Sequence, residues 1–232
     1  ELFEISKDLG LECFSTPFDK TSVDFLEELN VPMYKIASFE ITDIPLIEYV
    51  ASKGKPIILS TGIADLNDIE TAITTIRKTG NNEIALLKCT SSYPTPPEES
   101  NLLMIQDFKE RFDLIPGLSD HTLGIQAPVI ATSLGAKIIE KHFILDKSVG
   151  GPDSSFSLDQ EEFTKMVNAI REAEVYIGNV DYNLSQRQIL SKQFSRSLYV
   201  TRKIKKGECF SEKNVQSKRP GYGLHPKHLK NI

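Results

Sequence analysis

Tryptophan is absent from this 232-residue chain, and cysteine, methionine and histidine are scarce, with three, three and four copies. Cys13, Cys89 and Cys209 stand far apart in strand-like runs. They form no disulfide framework and no Cys–His cluster of structural-zinc type, and read as free buried thiols of a reducing compartment. No apolar run reaches the length of a membrane span and no signal segment is recognisable, so the chain is expected to be cytoplasmic and to have no membrane partner. Glu1 stands where a natural start would have methionine, and an incomplete N-terminus is expected. Neither Gly-x-Gly-x-x-Gly nor a Walker pattern occurs, which removes support for a dinucleotide cofactor or a nucleoside triphosphate site. The net charge is −5 with no long single-sign run, arguing against nucleic acid as a partner. The basic clusters at Arg202, Lys203, Lys205 and Lys206 and at Lys218 and Arg219 lie beside turn or strand signals.

What is present is ordinary globular composition, 40% apolar and 25% charged, arranged as alternating strand-like and helix-like segments. Strands are predicted over 11–15, 33–38, 56–60, 83–89, 114–118 and 137–143. Helices are predicted over 20–29, 43–53, 65–79, 99–112, 123–134 and 159–177, with the end of another over 1–9 closed by Gly10. Asp65 and Asp159 mark two helix starts, and Leu66, Ile69, Ile73 and Ile76 form one apolar stripe. Such alternation implies βαβ units and a parallel sheet. Each strand-like run ends in a polar tip: STPF, KIASFE, LSTG, LLKCTSSYPTP, GLSDHT and EKHF. A doubly wound sheet gathers its ligand at one crevice, whereas a (β/α)₈ barrel draws on many strand ends, and the six tips favour the barrel. The α/β fold class expected is therefore a TIM barrel lacking its first two βα units. The barrel portion is expected over 1–178 and a linker over 179–193. A small, truncated β domain is expected over 194–232, a period-two stretch broken at Lys206-Gly207.

Several tip residues can carry chemistry. His121 and His142 end neighbouring strands, which in a parallel sheet lie about 4.8 Å apart, so the two imidazoles can share a divalent ion; two unrelated histidines are the alternative. Asp120 is placed to orient an imidazole. In MYKIAS, Lys35 lies opposite the bulkier Tyr34 and Ile36, so it is expected to point into the barrel and meet an anion, unless it snorkels to water. Thr16, Ser38, Ser60, Ser91 and Ser119 are hydroxyls at strand tips, where they serve as helix caps or, together, as an anion cradle. Glu40 can act as a general acid or base or remain a rim carboxylate. Tyr93 can pack against a sugar-sized ligand, and Asp153 in Gly-Gly-Pro-Asp reads as a turn residue by spacing alone.

The ordered series STPF, YKIASFE, ILSTGI, LLKCTSSYPTP, GLSDHT, EKHF and KRPGYG resembles the sialic acid synthase family over nearly the whole chain. Within that family KIASFE, LLKCTSSYPT and EKHFILDKS look most like the pseudaminic acid branch; the other branches more usually have His where Lys88 stands. The resemblance implies a TIM barrel joined to a SAF, antifreeze-like domain. It implies condensation of phosphoenolpyruvate with an amino sugar, 2,4-diacetamido-2,4,6-trideoxy-altrose for this branch, to a nine-carbon α-keto acid and phosphate. It implies a divalent metal, typically Mn²⁺ with Mg²⁺ or Co²⁺ as alternatives, and a domain-swapped homodimer. By position His121 and His142 fall on the metal ligands, and Thr16, Lys35, Ser38, Ser60, Ser91 and Ser119 on the phosphoenolpyruvate site. Glu40, Tyr93 and Asp153 fall on the sugar side, and Arg219 on an arginine that reaches over from the partner. Ser91 stands where the sialic branch has asparagine. The family's first-strand Glu and second-strand Lys-x-Gln have no counterpart in this sequence, so the chain as written is expected not to turn over. The alternatives are an N-acetylneuraminate or legionaminic acid synthase, a metal-dependent barrel hydrolase and, more distantly, a non-catalytic carbohydrate-binding module.

Overall fold

Apolar runs too short for helices and flanked by turn residues become the strands, and the intervening 3.6-period segments become helices. The computed structural model describes residues 1–232, which divide into two units, Glu1–Gly178 and Asn179–Ile232. In the first unit α1 (Leu2–Asp8) and α2 (Lys20–Glu28) precede β1 (Tyr34–Ile36), α3 (Ile44–Ala51), β2 (Ile57–Ser60) and α4 (Leu66–Lys78). β3 (Ile84–Cys89), α5 (Met104–Phe112), β4 (Ile115–Asp120), α6 (Gln126–Ser133), β5 (Ile138–Lys141) and α7 (Gln160–Ile177) follow. All five strands are parallel and lie in chain order, forming a curled half-barrel. No helix is long and apolar enough to cross a membrane.

Alternation along the strands separates two faces. Tyr34, Ile36, Ile57, Leu59, Ile84 and Leu86 share a core with Val23, Ile47, Val50, Ile69, Ile73 and Ile76 from α2, α3 and α4. The opposite face carries a smaller cluster of Ile58, Ala85 and Leu87 with Met33 and Ile138. There Gly117 leaves no room for a side chain: a Cβ would sit 2.3 Å from Leu87 Cδ2 and 2.6 Å from the Ile138 carbonyl oxygen. The helix starts follow from local chemistry. Asp65 and Asp68 form a reciprocal capping box on α4, as do Asp159 and Glu162 on α7.

Several elements differ from the sequence expectation at their bounds, β1, β5 and α6 being shorter by a few residues, and three others differ as follows. The strand at 11–15 reduces to a single bridge between Ser15 and Tyr34, because the segment has one neighbour only and leaves Leu11 and Phe14 exposed. The helix expected from 99 begins at Met104, after a 3-10 turn over Pro97–Glu99 and a left-handed Asn101. β4 extends through Asp120, two residues beyond the predicted end.

The second unit contains α8 (Gln186–Ser191), capped by a Ser185–Gln188 box, and an antiparallel pair, β6 (Ser197–Val200) with β7 (Val215–Lys218). The connection is longer than a tight turn at Lys206-Gly207. Fully buried Asn214 holds it, donating to the Cys209 carbonyl at 3.0 Å and accepting from the Ser211 amide at 2.7 Å.

Candidate active site

The C-terminal ends of β1, β2, β4 and β5 bring one charged group together. Lys35 is 7% exposed on the face opposite the helices. Its ammonium donates to Ser60 Oγ at 2.7 Å and to the Ile36 carbonyl at 3.0 Å, and lies 3.7 Å from Glu140 Oε2. Burial pushes the Lys35 pKa down, and the Glu140 charge pulls against that shift. Glu140 Oε1 accepts from Ser119 Oγ at 2.6 Å, across strands whose register pairs those two residues. Lys35, Ser60, Ser119 and Glu140 therefore form one connected cluster.

Next to it the tips of β1, β2 and β3 crowd around Gly62. Its amide donates to Ser38 Oγ at 2.9 Å, and a Cβ there would lie 2.2 Å from Ser91 Oγ, 2.7 Å from Ser38 Oγ and 3.0 Å from Cys89 Sγ. The tips meet this closely only because residue 62 is glycine. Ser91 Oγ is buried without a hydrogen-bond partner, as is Glu40 Oε2. Buried polar atoms rarely stay unpaired, so both are open to an incoming group.

The imidazoles of His121 and His142 have ring centroids 5.2 Å apart. Tyr93 lies edge-on to His121 at 4.4 Å, and Phe156 stands 5.0 Å from His142. Cys89 Sγ approaches His121 Nδ1 at 3.8 Å, and Asp153 Oδ2 lies 3.7 Å from His142 Nδ1. Burial first, and the neighbouring His142 second, hold the His121 pKa below its ordinary value of 6.5. Burial raises that of the Tyr93 hydroxyl. The two rings form an aromatic-walled pair of nitrogen donors. No group of three or more His, Cys, Asp or Glu side chains is arranged to hold a metal. The two imidazoles fit a divalent ion as two of its ligands.

Thr16 is half-buried just after the Ser15 bridge and makes no side-chain hydrogen bond with this group, and Arg219 lies in the second unit immediately after β7. Asp120 does not orient an imidazole. It faces the other side of the sheet, where Oδ2 accepts from Lys141 Nζ at 2.6 Å and Oδ1 from the Thr122 amide at 2.9 Å. Strand alternation explains this: Asp120 and Lys141 project opposite to His121 and His142. Glu140, Cys89 and Phe156 join the site without having been singled out in the sequence. The larger cavities lie elsewhere, one of about 440 Å³ bordered by Gln106, Leu114 and Leu134 and one of about 670 Å³ at the start of α7, and neither includes a residue of this group.

Comparison with known proteins places the chain in a family. A sequence-family model described as the NeuB family matches residues 1–182. The chain is 46% identical over 232 residues to a pseudaminic acid synthase of Campylobacter jejuni, spanning 100% of this chain and 68% of that protein. It is 47% identical over 233 residues to that of Helicobacter pylori, with the same two coverages. A crystal structure of the spore coat polysaccharide biosynthesis protein SpsE from Bacillus subtilis superposes with a TM-score of 0.74 at 37% identity, covering 100% of this chain and 70% of that one. An N-acetylneuraminic acid synthetase from Leptospira borgpetersenii, solved with citrate, gives 0.78 at 35% identity, covering 82% and 66%.

Proposed function

The chain belongs to the NeuB family, and from that footing we propose that it condenses phosphoenolpyruvate with 2,4-diacetamido-2,4,6-trideoxy-altrose and water to give pseudaminic acid and phosphate. The observation that carries this reading is the placement of a buried lysine and four tip serines beside a facing pair of imidazoles.

Lys35, Ser60 and Ser119, with Ser38, Ser91 and Thr16, hold the phosphate and carboxylate of phosphoenolpyruvate. Their contribution is positioning and charge stabilisation. Tyr93, Asp153 and Phe156 pack against and hydrogen-bond the open-chain sugar. C3 of phosphoenolpyruvate forms the new bond to the sugar's aldehyde carbon, whose oxygen takes a proton from Glu40. Water adds to C2, releasing a proton, and the resulting tetrahedral centre breaks its bond to the phosphate oxygen, leaving the ketone and phosphate. His121 and His142 would hold a divalent ion such as Mn²⁺, which would supply Lewis acidity toward the aldehyde. Burial lowers the His121 pKa and so favours the neutral imidazole, the form a ligand requires.

The same reading supplies the finer architecture. The five-stranded half-barrel is completed to eight strands by further βα units, which contribute the family's first-strand Glu and second-strand Lys-x-Gln. The second unit is part of a SAF-like domain, and Arg219 reaches the sugar's acyl group in a domain-swapped homodimer.

A chimera tests the proposal: this chain replaces the matching region of the Campylobacter jejuni synthase, and phosphate release is followed with Mn²⁺, phosphoenolpyruvate and three hexoses. Release with the altrose derivative, and its loss in His121→Ala, is expected. Preference for the hexose of the legionaminic or N-acetylneuraminate synthases would assign the chain to that branch instead.

A further inference from the structure

We propose that Glu140 is a built-in competitor for the anion site: its carboxylate takes up the Lys35 ammonium and the Ser119 hydroxyl, and an anionic substrate binds by displacing it. The inference rests on the reading of Lys35 and Ser119 as substrate-holding groups. An ammonium has three donors. At Lys35 two are filled by neutral oxygens, Ser60 Oγ and the Ile36 carbonyl, while Glu140 stands at 3.7 Å, beyond hydrogen-bond length. The third donor has only the Glu140 carboxylate nearby, beyond hydrogen-bond length, which leaves a place for another anionic oxygen. Glu140 is itself anchored, through Oε1, by the 2.6 Å bond from Ser119.

The Glu140 side chain is 43% exposed, so water can receive its charge when it leaves. The contrast with Lys141 and Asp120 on the other face is sharp: that pair closes at 2.6 Å with both side chains 1% exposed, and has no exit. A carboxylate with a purely structural duty would be built the second way. Glu140 is built the first way, loosely against its lysine and open to solvent. It keeps the cradle polar and ordered between turnovers, and lowers affinity for any anion too weak to displace it.

Calorimetric titration of the chimera described above with inorganic phosphate and with phosphoenolpyruvate tests this, using the parent, Glu140→Gln and Lys35→Met. Glutamine keeps the shape and the Ser119 contact but removes the charge. Phosphoenolpyruvate binding is expected to tighten about two- to fivefold in Glu140→Gln, the range of a part-exposed ion pair, and to vanish in Lys35→Met. Affinity unchanged or weakened in Glu140→Gln, with binding still lost in Lys35→Met, overturns the role of Glu140 and leaves the anion site standing. Absence of binding in both the parent and Glu140→Gln overturns both. Binding gained only in Glu140→Gln supports the proposal in its strongest form. Circular dichroism reports whether each variant is folded; if Glu140→Gln is not, Glu140→Asp, whose shorter side chain draws the carboxylate back from Lys35, is read by the same criteria.

Discussion

On its helix-covered face the sheet presents Tyr34, Ile36, Ile57, Leu59, Ile84 and Leu86, all buried and apolar, whereas the other face of the same strands carries Lys35, Ser60, Ser119 and Glu140 at its upper edge. Residues one position apart thus have opposite duties: Tyr34 and Ile36 bury apolar area, and Lys35 between them costs desolvation. At about 25 cal/mol per Å² of apolar area, the helix-covered face supplies the stability that a polar mouth consumes. Three residues break this division. Lys88, Asp120 and Lys141 are polar, yet project toward the helix side. The comparison teaches that lysines of similar burial rest on different supports: Lys141 on a full charge, Lys35 on a loose one, Lys88 on neutral oxygens alone, the Cys89 carbonyl and Thr90 Oγ1.

Substitution of each lysine sharpens that contrast. Lys141→Met leaves Asp120 charged and unpaired in a dry site, and is expected to cost about 3–5 kcal/mol in denaturant unfolding. A loss below about 1 kcal/mol would break the claim that this pair supports the β4–β5 tips. Lys88 is next. Burial lowers its pKa below 10.5, so between its folded value and 10.5 the unfolded chain binds a proton that the folded chain has released. Stability contributed at Lys88 therefore rises with pH across that window, by at most about 1.4 kcal/mol per pH unit, and is constant below it. Lys88→Met should flatten the alkaline slope relative to the parent; parallel stability–pH curves would show that Lys88 is not strained by its burial. The smallest effect is expected at Lys35, whose partner Glu140 can turn to water: Lys35→Met should stay within about 1 kcal/mol of the parent. A loss as large as that of Lys141→Met would erase the distinction between the two faces.

Much of the fold was legible because its elements are locally consistent. Asp65 and Asp159 start helices where capping chemistry places them, and the period-two run Tyr34-Lys35-Ile36 marks which side chain faces away from the helices. The nearness of His121 and His142 was legible for a related reason: parallel neighbours in register bring equivalent tips together. Other features depend on relations that a linear scan passes over. Asp120 adjoins His121 in the chain, but adjacency in a strand means opposite faces, so it serves Lys141. Glu140 was readable by that same rule, two positions before His142 and on its side. Phe156 arrives from the segment between β5 and α7, where no periodicity announces a contact with His142. The strand at 11–15 has suitable residues but only one neighbour, and local preference without pairing leaves a bridge.

Gly117 has a consequence for how such a site can change. Beneath the polar mouth, Leu87 and the Ile138 backbone close to 2.3 Å and 2.6 Å of where a methyl at 117 would stand. Every replacement of glycine adds bulk, so position 117 is closed to single substitutions. A designed library that seeks a new sugar specificity gains nothing by randomising this position. Diversity has to enter through the tips and the loops that follow them, where a changed side chain can still find space.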